Sequence, residues 1–271
     1  IVAMTGDGVN DGPALKSAHI GVAMGRSGSE VAKNAASLIL MDDDLRWMVD
    51  AIALGRRIYE NLKKAIRYII SIHIPVILIV AVPLLFSWVY IDIFTPVHVV
   101  FLELIMGPTC SIAFENEPIE KNSMSRPPAK RNGNLFSLKE LSLSIIQGLI
   151  ITIACLGVGY FYMEQGYTEG FVRTVIYSTL IFSNIFLTLV NRSFYFSVFT
   201  TLKFKNNLLS IILIISFFFL ILTIYVRPVR ELFDFVEIDI SRLLFCGGIA
   251  FVGVMWIELY KYFLRRKDLF L

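Results

Sequence analysis

Long stretches without Asp, Glu, Lys or Arg constrain this sequence more than any other feature. Residues 68–91, 141–163, 174–191 and 206–226 lack all four residue types, and residues 93–114 contain only Glu103. A helix needs roughly 20 apolar residues to cross a bilayer core of about 30 Å. The chain is 56% hydrophobic and 17% charged, whereas soluble domains carry about 25% charged residues. We therefore predict an integral membrane protein in a lipid bilayer.

The apolar stretches predict six transmembrane helices, at about 68–91, 94–114, 141–163, 173–191, 207–226 and 242–264. Before them, residues 1–44 alternate short apolar runs with helical segments, which is typical of an α/β fold. Residues 45–67 show helical periodicity without a breaker. We expect a stalk helix that continues into the first span and links the two parts mechanically. The predicted fold class is thus an α/β fragment, a stalk helix and an all-α membrane domain.

Charge predicts the orientation and excludes one class of partner. The formal net charge of +3 is too small to suggest a nucleic-acid partner. Basic residues cluster before the first predicted span, between the second and third, before the fifth and after the sixth. They are Arg56, Arg57, Lys63, Lys64, Arg67, Lys121, Arg126, Lys130, Arg131, Lys139, Lys203, Lys205, Arg265, Arg266 and Lys267. Because cytoplasmic loops are rich in Lys and Arg, we expect both ends in the cytoplasm and Glu164 and Glu169 outside, across the plasma membrane.

Cysteine spacing indicates neither a disulfide framework nor a zinc site. Cys110, Cys155 and Cys246 all fall in apolar runs, and no two of them form a C-x-x-C pair. We expect them to be reduced packing residues.

The soluble part contains one stretch suited to phosphate chemistry, T-G-D-G-V-N-D-G-P-A-L at residues 5–15. Asp7 follows an apolar run, at the strand end where α/β folds place ligands. Mg²⁺ is usually held by one or two carboxylates plus substrate phosphate, and Asp7 and Asp11 offer such oxygens. Asn10 can donate a hydrogen bond to a phosphoryl oxygen. The candidate phosphate-loop residues are Thr5, Gly6 and Gly8. The two glycines allow a tight turn and let the backbone come close to a ligand.

Two other known loop motifs fit this stretch poorly. An EF-hand would need Asp or Asn where Val9 stands and a closing Glu where Ala18 stands. A dinucleotide fingerprint would need glycine where Asp11 stands. A plain Asp-Gly turn without chemistry is the remaining alternative for the bare D-G pair.

The whole string resembles the hinge motif of P-type ATPases, T-G-D-G-x-N-D-x-P-A-L, which completes their phosphorylation site. Gly12 stands where the family usually has Ala, which should loosen the helix start without removing a ligand. The similarity continues through most of the chain, at residues 20–25, 31–33, 40–43, 55–61 and 66–71, at Pro118 and at Arg126-Pro127-Pro128, as in type II calcium-like pumps.

This resemblance implies the end of a haloacid-dehalogenase-like phosphorylation domain, followed by the last six of ten spans. It implies that Asp7 binds the catalytic Mg²⁺, that Asn10 contacts the phosphoryl group and that Asp11 supports the loop. ATP would be the substrate of the full-length pump. The sequence contains no D-K-T-G-T string, so the phosphorylated aspartate, the nucleotide domain and the first four spans are expected elsewhere in the same pump. Alone, this chain should be inactive.

Glu103 is the main candidate for the transported ion, because ionisable groups inside membrane helices usually face a cavity or a partner. Gly107-Pro108 should break the same helix and free carbonyl oxygens to line a site. His73 precedes Pro75 in the preceding span. The alternatives are a structurally paired acid for Glu103 and a hydrogen-bonded core histidine for His73.

The membrane residues differ from those of calcium pumps, and this leaves the ion open. Glu103 stands where such pumps have Asn, Gly107 where they have Asp, and His73 and Val76 where they have Asn and Glu. Fewer carboxylates argue against two calcium ions. One divalent cation, Ca²⁺ or a similar ion such as Mn²⁺, is the first interpretation. A pump for protons or monovalent cations, a membrane-anchored phosphatase without transport and a non-catalytic membrane subunit are the alternatives.

Overall fold

The computed structural model describes residues 1–90, 92–120, 122–127 and 135–266, except for the side chains of residues 110 and 111. Several residues used above therefore lie outside the described part: the side chain of Cys110, and Lys121, Pro128, Lys130, Arg131 and Lys267. The chain divides into two compact units, residues 1–56 and residues 57–271.

The first unit is a small α/β segment built from parallel strands. Its elements are β1 (Ala3–Gly6), a 3₁₀ turn (Val9–Asp11), α1 (Gly12–Ser17), β2 (Ile20–Met24), α2 (Glu30–Ala35) and β3 (Leu38–Leu40). The sheet order is β1-β2-β3, with Gly6 opposite Ala23 and Met24 opposite Leu40. Strands and helices alternate along this unit, as the sequence predicts.

Local chemistry explains where these helices begin. Pro13 lies in the first turn of α1, where its missing N–H costs no hydrogen bond. Ser29 accepts a hydrogen bond from the Ala32 N–H at 3.2 Å and so caps α2, a position that Ser favours. Leu15, Ala23 and Ala32 form the buried core. Gly21 lies so close to α1 that a Cβ there would be 2.4 Å from the Leu15 carbonyl oxygen.

The long helix predicted from residue 45 is present as α3 (Arg46–Leu85), with Pro75 and Pro83 inside it. The boundary between the two units falls within this helix. The remaining elements are α4 (Pro96–Pro108), a π-helical turn (Thr109–Ala113), α5 (Leu138–Glu164), α6 (Glu169–Val190), α7 (Val198–Thr201), α8 (Asn207–Tyr225), α9 (Arg227–Leu232) and α10 (Ile240–Arg266).

Five of these helices, α3, α5, α6, α8 and α10, are long and apolar enough to cross a membrane. The second predicted span is the exception. The span predicted at 94–114 is not confirmed, because the α-helix there covers only Pro96–Pro108, shorter than the five membrane-crossing helices, before the π-helical turn. Pro108 lacks the N–H that would bond to the Leu104 carbonyl, so the regular ladder cannot continue unchanged. The sequence-based expectation of a break at Gly107-Pro108 agrees with this geometry.

Glu117 is the polar centre of the second unit. Its side chain is fully buried and pairs with Arg192, with Nε–Oε1 at 2.9 Å and Nη2–Oε2 at 3.3 Å. Asn206 donates to the same carboxylate at 2.8 Å and, through Oδ1, accepts from the Leu209 N–H at the start of α8. Arg57 and Asn61 of α3 donate to the Glu117 carbonyl, each at 2.8 Å. One residue thus joins α3, the segment after the π-helical turn, the segment after α6 and the N-terminus of α8.

A second buried cation closes the end of α6. The Lys261 ammonium of α10 donates to the Val190 carbonyl at 2.6 Å and to Glu258 at 2.7 Å. The carbonyls of the last turn of a helix have no partner within the helix, so Lys261 supplies one from α10.

Replacing Glu117 by Gln should destabilise the membrane domain strongly. The Arg192 guanidinium would remain buried without its carboxylate, and breaking a buried pair in this way costs about 3 kcal/mol or more. We expect a clearly lower thermal unfolding midpoint for Glu117→Gln in the full-length protein. Glu115→Gln is the matched control, since Glu115 is exposed and lies two positions away. Equal midpoints for the two variants would show that the pair contributes little.

Candidate functional site

The first candidate site is the loop that follows β1, and Asp11 shapes it. The Asp11 Oδ2 accepts hydrogen bonds from the backbone N–H groups of Asp7 at 3.1 Å and Gly8 at 3.0 Å. The Ser29 N–H donates to the Asp7 carbonyl at 2.7 Å, which ties the loop to the start of α2. These bonds fix the backbone on both sides of the Asp7 side chain.

Gly6 is required by this arrangement. A Cβ at position 6 would lie 2.7 Å from the Asp11 Cβ and 2.8 Å from its Oδ2. Such contacts are far inside normal separations, so any larger residue would displace the carboxylate that holds the loop. Thr5, in β1 beside it, is exposed. Gly12 allows α1 and α2 to pack closely, since a Cβ there would be 3.2 Å from the Val31 Cγ1 of α2.

Asp7 and Asn10 are the residues that this loop presents to solvent. Both are exposed, whereas Asp11 is half-buried. Among the described residues, the Asp7 carboxylate has no hydrogen-bond or ion-pair partner. A free carboxylate next to an ordered backbone is a hard oxygen ligand of the type that Mg²⁺ uses. The donor set therefore fits a Mg²⁺ site completed by water and a phosphate oxygen, with Asp11 acting through the backbone.

Asp43 stabilises a neighbouring loop in the same unit. Its carboxylate accepts from the backbone N–H groups of Arg26 and Ser27, each at 2.8 Å. The Arg26 N–H, followed by that of Ser27, holds the pKa of Asp43 below its usual value, because hydrogen bonds to the charged form favour that form. Asp43 has a φ of 58°. Asp43, which follows β3, therefore supports the structure of this loop.

The second candidate site is a pair of side chains from α3 and α4. The His73 Nε2 lies 3.1 Å from the Glu103 Oε1, and the His73 Nδ1 lies 2.8 Å from the Ile69 carbonyl. When the His73 Nδ1 donates to the Ile69 carbonyl, the ring is held in place and its Nε2 faces the Glu103 carboxylate. The structure thus brings together two of the three predicted membrane residues.

Backbone irregularities surround this pair. Pro75 removes the N–H that would bond to the Ser71 carbonyl of α3, and Pro108 does the same for the Leu104 carbonyl of α4. Carbonyls freed in this way are oxygen ligands for a cation.

The pair is not a complete metal site by itself. In the part of the chain that the structure describes, no three His, Cys, Asp or Glu side chains converge in a way that could hold a metal ion. The side chains of His73 and Glu103 are 39% and 44% exposed, which leaves room for further ligands. Cys155 and Cys246 are free and buried, as expected from the sequence.

Sequence reasoning missed a polar network that joins α3, α5 and α6. The Tyr68 hydroxyl donates to Asn184, and Ser71 bonds to the Ser144 carbonyl at 3.0 Å and to Gln147 at 3.1 Å. Gln147 in turn donates to Asn191. These residues are uncharged, so a search for Asp, Glu, Lys and Arg passes over them. Amides within apolar runs would have been the signal.

The described helices define a multi-pass integral membrane protein. Residues 91–263 match the family described as "Cation transporting ATPase, C-terminus". The chain belongs to this family and corresponds to the carboxyl-terminal part of P-type cation-transporting ATPases. That is the family which the hinge motif predicts.

Relatives named as calcium-transporting ATPases match nearly the whole chain. "Calcium-transporting ATPase 1" of Schizosaccharomyces pombe is 31% identical over 99% of this chain and 30% of its own length. "Calcium-transporting ATPase 1" of Lactococcus lactis is 32% identical over 96% of this chain and 29% of its own length. The human "Calcium-transporting ATPase type 2C member 1" is 28% identical over 99% of this chain and 29% of its own length. The chain therefore spans less than a third of the length of these relatives.

Proposed function

We propose that this chain is the carboxyl-terminal part of an ATP-driven pump that forms an aspartyl phosphate and transports Ca²⁺ or a similar divalent cation. The observation that carries the transport proposal is the His73–Glu103 contact at 3.1 Å beside two proline breaks. An ion pathway explains why a carboxylate and an imidazole lie together in an apolar region. The names of the relatives support Ca²⁺ as the ion.

Six spans are part of this proposal. In it, α4 and the π-helical turn together form the second span, and the first unit is the end of a dehalogenase-like phosphorylation domain. The phosphorylated aspartate and the nucleotide site belong to the rest of the same pump. Alone, this chain would not hydrolyse ATP.

In the proposed mechanism, the loop after β1 acts on the phosphoryl group. Asp7 would hold Mg²⁺, which neutralises charge that develops during phosphoryl transfer. Asn10 would donate a hydrogen bond to a phosphoryl oxygen without adding negative charge. Asp11 keeps Asp7 in position through its bonds to the backbone of residues 7 and 8.

Asp7→Asn in the full-length protein should abolish Mg²⁺-dependent phosphoenzyme formation from ATP. The amide removes the negative charge that attracts the metal, while its size leaves the loop intact. Incorporation of labelled phosphate into the protein measures the effect. Asp50→Asn is the control, because Asp50 is an exposed acid on α3. Normal phosphoenzyme levels in Asp7→Asn would remove Asp7 from the metal site.

Glu103→Gln should spare folding and raise the Ca²⁺ concentration needed for half-maximal ATPase activity by about tenfold, since tenfold corresponds to 1.4 kcal/mol of lost ligand energy. Glu164→Gln, at the exposed end of α5, is the matched acid control. Unchanged Ca²⁺ activation in Glu103→Gln would make Glu103 a structural acid.

The same assay separates the alternatives. A histidine that faces a carboxylate can also carry a proton, so the His73–Glu103 pair favours a proton pump as the second candidate. Activity that responds to pH, but not to Ca²⁺, Mn²⁺, Na⁺ or K⁺, would identify protons. Phosphatase activity that no ion stimulates would identify a membrane-anchored phosphatase.

Both termini in the cytoplasm and a plasma-membrane location complete the proposal. The basic residues at one set of helix ends support this orientation. A cysteine introduced as Gln165→Cys, at an exposed position between α5 and α6, should react with an impermeant reagent from outside intact cells. Lys203→Cys should react only after permeabilisation. The reverse pattern would contradict the topology.

A further inference from the structure

A pocket of about 280 Å³ lies within the second unit, and most of the residues that line it are charged. It is formed by α3, the beginning of α5, the end of α10 and the segments that follow the π-helical turn and α6. Leu143, Ile257 and Leu264 supply apolar walls, and Phe194 forms an aromatic one. Charged side chains line the rest. The pocket therefore offers both an apolar and a polar surface to one ligand.

Cations outnumber carboxylates in this pocket. The six cationic side chains are Lys63, Lys64, Arg67, Arg126, Lys139 and Lys261, and the three lining acids are Glu60, Glu120 and Glu140.

The acids are already committed to ion pairs. Glu140 pairs with Lys63 at 2.6 Å, and Glu120 pairs with Lys64 at 3.2 Å. Arg126 contacts both Glu60 and Glu120 at 3.2 Å, and Lys261 pairs with Glu258 at 2.7 Å. Among the described residues, this leaves Arg67 and Lys139 without a direct ion pair, and Glu140, which already pairs with Lys63, acts on Arg67 only through its charge. The pocket therefore has a local positive charge that its own acids do not balance.

Arg67 is a buried cation in this pocket with an unsatisfied hydrogen-bond donor. Its side chain is buried, with only 3% of the residue exposed, and its Nη2 has no hydrogen-bond partner among the described residues. The Phe194 ring lies 3.3 Å from the guanidinium carbon, and the Nε reaches only the Ser144 hydroxyl, at 3.4 Å. A buried donor of a charged group without an acceptor is costly. An anion in the pocket would supply the missing acceptor.

We propose that this pocket binds a phosphate group. A guanidinium presents its donors as a fork that matches phosphate oxygens, and an ammonium adds a point charge, as Arg67 and Lys139 would here. The apolar walls favour the headgroup of an anionic phospholipid, whose glycerol and acyl parts would contact Leu143, Ile257 and Leu264. Free inorganic phosphate is the other source of the same chemistry. The proposal is independent of the transported ion.

Native mass spectrometry of the delipidated full-length protein tests this proposal, with phosphatidic acid as the probe and phosphatidylcholine as its zwitterionic comparison. We expect one phosphatidic acid to bind in preference to phosphatidylcholine. Arg67→Gln should weaken this binding about tenfold, because a charge-assisted hydrogen bond is lost. Lys139→Gln should weaken it about fivefold, since a basic residue near an anionic lipid contributes about 1 kcal/mol.

The exposed Lys139 keeps the test decisive if Arg67→Gln does not fold. Lys203→Gln is the matched control, because Lys203 is exposed, basic and outside the pocket. Displacement of the lipid by inorganic phosphate would identify a site for phosphate itself, and resistance to displacement would identify the lipid headgroup. Two results together would overturn the proposal: equal binding of phosphatidic acid and phosphatidylcholine, and no change in the protein's thermal unfolding midpoint when inorganic phosphate is added. So would equal losses in Lys139→Gln and Lys203→Gln.

Discussion

The buried carboxylate of Glu117 sets the geometry of the membrane domain. A charge taken out of water is tolerated only when partners surround it. Here Arg192 and Asn206 bind the carboxylate, while Arg57 and Asn61 bind the backbone carbonyl of the same residue. Arg192, Asn206, Arg57 and Asn61 cannot all reach residue 117 unless α3, α6 and α8 adopt one arrangement. Apolar packing between helices tolerates sliding, whereas this set of bonds fixes one position.

The same principle operates on a smaller scale in the loop after β1. One carboxylate, that of Asp11, accepts from two backbone N–H groups, and Gly6 leaves the space it needs. Asp7 is consequently oriented without using its own side chain, which stays free for a ligand. In both units a buried or half-buried acid organises the backbone, and the residues proposed to act on ions or phosphate lie next to irregular backbone.

Sequence patterns predicted the elements well where one residue type determines the local structure. The Gly107-Pro108 pair ends α4 as expected. Ser29 and Pro13 lie at the starts of α2 and α1, where Ser and Pro are favoured. Hydropathy alone predicted one apolar span at 94–114, and the structure divides it at Pro108, whose missing N–H interrupts the regular ladder. The Glu117–Arg192 pair could not be predicted either. Its two residues are 75 positions apart, and each looks like an ordinary loop charge at the edge of an apolar run.

The Lys261 bond to the Val190 carbonyl has a consequence for biosynthesis. During translation α6 enters the membrane long before α10 has been made, so the end of α6 must wait without this partner. Domains generally fold in the order of their synthesis, the N-terminal one first. Here the last helix supplies a buried ammonium to a much earlier one. Complete packing of α6 therefore waits until α10 has been made, and a ribosome that stalls before residue 261 would leave the end of α6 without this partner.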